Sequence, residues 1–130
     1  MNAHRILYLN ATATAGCAIA MLAARAVLPP LFGLESPHLL DVVAIGLLAY
    51  AGALALAAKR RQVSRTALMF FTAADGAWVV GSAVVLVAFW TEFAAIARIA
   101  VIAVAAVVEV FALLQFREAG AIGRRQQQAV

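Results

Sequence analysis

Charge is what this chain has least of. Only 12% of its 130 residues are Asp, Glu, Lys or Arg, against 66% hydrophobic, and that mix excludes a soluble domain, which must cover its surface with polar groups. Cysteine is nearly absent too. The single Cys17 rules out an internal disulfide and any cysteine-based metal cage. It closes "TAGC", a loose lipobox, yet Thr14 stands where a larger apolar residue is needed and "AIAMLAARAVL" prolongs the apolar run beyond it. Neither lipidation nor a cleaved signal peptide is expected. The two histidines, His4 and His38, fall at opposite ends of the fold expected below, which excludes a bis-histidine haem. No nucleophile–base pair, phosphate loop or metal-ligand spacing is present. The expectation is a protein that is not an enzyme and holds no metal.

The three prolines are confined to positions 29, 30 and 37, which leaves long runs unbroken. At about 20 residues per crossing, the chain accommodates four membrane-spanning helices and no soluble catalytic domain. The first span is read as 6–28, stopped by Pro29-Pro30 because proline lacks an amide proton and clashes with the preceding turn. After "PPLFGLES", Ser36 is expected as N-cap with Pro37 in the first turn, opening a span at 37–58. "KRRQVSR" ends it, and Ser64 caps a third span at 65–90. A fourth is expected at 92–116, with Gly120 as its stop and 117–130 as a solvated tail. The fold class is therefore all-α, a single-domain four-helix transmembrane bundle.

Orientation follows from Lys and Arg, which stay cytoplasmic during insertion. Arg5, Lys59, Arg60, Arg61, Arg65, Arg117, Arg124 and Arg125 share one side, 8 of the 10 basic residues. Both termini are expected in the cytoplasm of a bacterium, the protein being multi-pass in its inner membrane. The net charge of +4 reflects this topology and not nucleic-acid binding, since the basic residues form no aromatic-laced patch. Gly46, Gly52, Ala53, Gly76 and Gly81 are expected to let helices approach closely.

Two carboxyl groups stand within the apolar runs. Asp75 is roughly 15 Å along the helix from Arg65, and Glu109 roughly 12 Å from Arg117, so both lie at similar depth from one face. Helical spacing puts Asn10 and Thr14 on one face of span 1, Thr72, Asp75 and Ser82 on one face of span 3, and Arg98, Glu109 and Phe116 on one face of span 4. A lipid-facing charge costs at least about 2.5 kcal/mol, so these faces are expected to turn inward. The resulting expectation is a ligand or proton site of Asp75, Glu109, Asn10, Thr14, Thr72 and Ser82, its two carboxyls holding one or two protons between them. Polar side chains also fasten membrane helices without further function. Near the other face Arg25, Asp41, Arg98, Glu35 and Glu92 mix signs, and ion pairs that tie span ends together are expected there. Trp78 and Tyr50 could flank a flat ligand, but aromatic packing within a bundle is the more common reason for such residues.

With "YLNATATAG", "LFGLESPHLLDVVAIGLLAYAG" and "DGAWVVGSAVVL" in view, the chain resembles the small, largely uncharacterised four-span integral membrane proteins of GC-rich bacteria. That resemblance implies the same topology, Asn or Asp at position 75, and no particular reaction. The function expected from the residues is non-enzymatic: an accessory subunit of a larger membrane complex, or a small homo-oligomer, embedded in the lipid bilayer. The alternative is a proton-coupled transporter, or a binder of a small hydrophobic ligand or cofactor, built on Asp75 and Glu109. A porphyrin, carotenoid or quinone needs no covalent signature, so the sequence leaves the cofactor unknown.

Overall fold

A computed structural model of the chain describes residues 2–130. Helices α1 (Ala3–Ala23), α3 (His38–Lys59), α4 (Arg65–Ala88) and α5 (Ala95–Gln128) are each long and apolar enough to cross a membrane. A single turn, α2 (Leu28–Leu31), interrupts the first connection, and no strand occurs among the described residues. The protein is a multi-pass, all-helical membrane bundle.

Local chemistry sets the helix ends. Asn2 and Ser64 cap α1 and α4, their side chains accepting from the amides of Arg5 at 2.9 Å and Ala67 at 3.1 Å, which satisfies donors that the first turn leaves free. His4 Nδ1 lies 2.8 Å from the Ala58 carbonyl in the last turn of α3 and donates to it.

Several boundaries differ from the sequence expectation, α4 among them, which ends at Ala88. α1 stops at Ala23, six residues before Pro29, and Pro29 and Pro30 instead lie in the first turn of α2, where a missing amide proton costs nothing. Pro37, not Ser36, precedes α3, and no side chain caps it. α5 begins at Ala95 because the Ala94 amide donates 2.8 Å to the Leu31 carbonyl. Finally, α5 runs through Gly120 to Gln128. Glycine weakens a helix interior by about 1 kcal/mol relative to alanine, but Ala119 is fully buried and Ile122 packs on the same core, while Glu118 and Arg125 pair at 3.0 Å along the surface.

The helices associate as two hairpins, α1 with α3 and α4 with α5, joined chiefly where α1 meets α5. Buried alanines recur every seven residues: Ala11 and Ala18 on α1, Ala44, Ala51 and Ala58 on α3, Ala112 and Ala119 on α5. A seven-residue repeat keeps one narrow seam facing a neighbour, and small side chains allow the close approach that membrane helices depend on. The glycines do not serve this role. A Cβ built on Gly46, Gly52, Gly76 or Gly81 meets nothing within 4 Å, and Ala53 is exposed; glycine confers a smooth surface only where another helix arrives.

The main core lies at the end that carries the N-terminus, the α3–α4 link and the last turns of α5. It is formed by Ala3, Leu7, Leu54, Val63, Leu68 and Phe71 with their neighbours. We call this the basic end. At the opposite end the connection within each hairpin clasps that of the other through the Leu31–Ala94 hydrogen bond and an edge-to-face pair of Phe32 and Phe93, centroids 5.0 Å apart. Gly33 makes the clasp possible. Its φ of +70° is left-handed, and a Cβ there would sit 3.1 Å from Glu92 Cβ and O, a double cost for any L residue. Gly33→Ala is expected to lower stability by about 1–2 kcal/mol with helix content unchanged, measured by circular dichroism during thermal unfolding in detergent.

Candidate functional site

Between the basic-end core and the clasp, the bundle interior becomes polar. Asn10, Asp75 and Gln115 are the buried polar side chains among the described residues, at 1%, 3% and 0% exposure. They meet at one carboxyl group. Asp75 Oδ2 accepts from Asn10 Nδ2 at 2.8 Å and from Gln115 Nε2 at 2.6 Å, while Oδ1 accepts from the Tyr50 hydroxyl at 2.7 Å. Asn10 is on α1, Tyr50 on α3 and Gln115 on α5, so one side chain of α4 bonds to all three other long helices.

The network extends one step outward. Thr14 Oγ1 donates 3.1 Å to Asn10 Oδ1, which fixes that amide so that its nitrogen faces Asp75. The Tyr50 hydroxyl also lies 3.3 Å from the Phe71 carbonyl, and the two rings meet edge to face at 5.8 Å. Gln115 Oε1 has no partner among the described residues. Every donor to Asp75 is neutral, and no basic side chain lies within ion-pairing distance of it among the described residues.

Above this floor, away from the basic end, the four long helices line a cavity of about 500 Å³. Asn10, Tyr50 and Asp75 form its polar base. Its walls are apolar, with Leu47 from α3, Trp78 from α4 and Val104 and Phe111 from α5. Cys17 and Thr14 complete the α1 side. Ala13, Gly46, Ala103 and Val107 on the wall are exposed in the isolated chain, so the space is open and not sealed. Its volume falls in the range of small-molecule sites, which are mostly apolar with a few placed polar groups.

No family model, curated protein or solved structure matches this chain. Its chemistry must be read from the site itself.

The sequence-derived set divides in the structure. Asn10, Thr14 and Asp75 come together. Glu109 does not join them: it is exposed on the outer face of α5, and the expected carboxyl pair is absent. The inward face of α5 carries Ala112, Gln115 and Ala119 instead. Gln115 is six residues beyond Glu109, which turns it about 120° around the helix. Thr72 hydrogen-bonds its own helix, donating 2.8 Å to the Leu68 carbonyl, a local pattern that competes with interhelical contact. Ser82 is half-buried, two turns beyond Asp75, and makes no side-chain hydrogen bond among the described residues.

At the clasp end the mixed charges do not form one network. Arg25 and Asp41 pair through two contacts, 2.7 and 3.4 Å, and the carboxylate raises the guanidinium's affinity for its proton. Arg98 finds no acid: it donates 2.9 Å to the Trp90 carbonyl and lies 4.4 Å over the Trp90 ring. Glu92 accepts from the Thr91 hydroxyl at 3.3 Å, and Glu35 is exposed without an ion pair among the described residues. Arg98's preference for an indole face over a carboxylate is a cation–π contact, which spacing in the sequence does not reveal.

Replacing Asp75 removes the common acceptor of two buried amides. Asp75→Leu is expected to destabilise the protein by several kcal/mol, at about 1–3 kcal/mol per orphaned buried donor. Glu109→Leu, which removes a carboxyl from the outer surface of a membrane-spanning helix, is expected to leave stability unchanged or raise it. Reversible unfolding in mixed micelles with increasing SDS reads both.

Proposed function

We propose that this protein is a non-enzymatic integral membrane protein that holds a small lipophilic molecule inside its bundle. The cavity above Asp75 carries this reading. A bundle built only for stability closes on itself, whereas here the packed core stops at Phe71 and an apolar space with a polar base begins one turn later. The polar base gives orientation and the apolar walls give affinity, the division of labour common to ligand sites. A transporter moving one bundle against another requires a second bundle, so binding is the simpler use of one copy.

Placement in a bacterial inner membrane with both termini cytoplasmic belongs to the same proposal. It is supported by the gathering of Arg5, Lys59, Arg60, Arg61 and Arg65 at the basic end, as the positive-inside rule requires. Such a topology predicts that a cytoplasm-active reporter fused after Val130 works, and that one active only in the periplasm does not.

A second reading, an accessory subunit or a homo-oligomer, is favoured by a different observation. Glu109 lies on an exposed α5 face with Ile102, Leu113 and Phe116, and a carboxyl facing acyl chains is costly. A neighbouring protein would supply it with a partner. Under this reading Glu109→Leu weakens association measured by analytical ultracentrifugation in mild detergent; wild-type protein that sediments only as a monomer counts against it.

For the binding reading, the test fills the cavity. Gly46 lies on its wall, and a side chain there meets no atom of the protein within 4 Å at Cβ. Mass spectrometry of solvent extracts from purified wild type is expected to show a retained small molecule above the level in empty nanodiscs. Gly46→Phe should lose at least tenfold of it without a fall in melting temperature. Equal retention by both proteins would sink the reading.

A further inference from the structure

The cavity contains one carboxyl group and no basic residue. The geometry points to a specific ligand class for it, and the inference rests on the binding reading above: we propose that the cavity takes lipophilic organic cations, with Asp75 as their counter-ion.

Three observations converge. First, Asp75 is surrounded by donors that suit a carboxylate. Gln115 turns its nitrogen to Oδ2 and leaves its own buried Oε1 without a partner among the described residues. Hydrogen bonds from neutral donors favour the charged form, yet none of these donors cancels its charge. Second, Oδ1 accepts a single bond, from Tyr50, against two at Oδ2, and Tyr50 is itself part of the cavity lining. A carboxylate has about four lone-pair sites, so capacity for a further positive partner remains. Third, α3, α4 and α5 each contribute one aromatic ring to the lining, Tyr50, Trp78 and Phe111. Aromatic faces attract cations, most of all where water is excluded.

The apolar walls decide which cation. A metal ion or a primary ammonium needs several oxygen ligands or water to replace its hydration shell, and the walls offer alanine, valine and rings. A quaternary ammonium or phosphonium carries its charge inside carbon groups and matches both the walls and the base. At about 500 Å³ the space accommodates a molecule of that kind with three aryl or short alkyl arms.

The test compares two molecules of one shape. Methyltriphenylphosphonium and its neutral isostere 1,1,1-triphenylethane differ in the central atom and its charge. Binding is read in nanodiscs by fluorescence of Trp78, with Trp90→Phe removing the other of the two tryptophans, and free concentrations are set by partition into empty nanodiscs. The cation is expected to bind at least tenfold more tightly than the isostere, and Asp75→Asn is expected to abolish the difference while the isostere binds as before. Equal affinities in the wild type would overturn the cation assignment and leave the cavity a site for neutral lipophiles. Failure of both probes would overturn the assignment together with the binding reading. The wild-type comparison decides the matter even where Asp75→Asn does not fold. Tyr50→Phe, which keeps the ring and the acid, is expected to retain a cation preference of at least threefold; its complete loss there would also overturn the role given to Asp75.

Discussion

One carboxyl group organises this bundle. Lipid provides no hydrophobic force between helices, since acyl chains are as apolar as leucine, and the outer surfaces of α3 and α4 carry little to choose one neighbour over another. Asp75 supplies that choice. Asn10, Tyr50 and Gln115 can all reach it only when α1, α3 and α5 stand at one rotation and one height about α4. Alanine seams then bring the hairpin partners into contact. The polar junction sets register, and packing supplies attraction.

The same junction divides the interior. Below it, leucine, isoleucine and Phe71 fill the space between helices. Above it, most positions of α1 and α5 that line the opening are small, among them Ala13, Thr14, Ala103 and Val104, and they leave space between the helices. The cavity is thus a product of two fixed ends and small residues between them. Gly33 belongs to this arrangement although it is far from Asp75, because its left-handed backbone lets the first connection lie against Glu92.

How much of this was legible in the sequence depended on contrast. Four spans stood out because charges interrupt apolar runs, and Ser64 was recognisable as a cap by its position after "KRRQV". Asn10, Thr14 and Asp75 were legible as a site because each is a polar residue in a setting that penalises it. Gln115 was missed. It stands two residues from Arg117, where it passes for an interfacial residue, and only its spacing from Ala112 and Ala119 signals the inward seam. Glu109 was placed inward because its charge dominates a helix whose other residues are uniformly apolar. Such a helix has no polar side to fix its rotation, and an error of about 120° changes no hydropathy pattern. Tyr50 was noticed for its ring, whereas its hydroxyl makes the decisive contact.

The length of α5 has a mechanical consequence. Its 34 residues extend for about 51 Å, against a hydrocarbon thickness of about 30 Å, so several turns project past the bilayer as a continuation of the rod that presents Gln115 to Asp75. From Gln115 to Gln128 is roughly 20 Å along the axis. Ala119 and Ile122, within that stretch, pack into the basic-end core, so the rod is gripped beyond the junction as well as at it. Only the exposed residues from Arg124 onward stand clear, a short basic post fixed in line with the helix that reads Asp75.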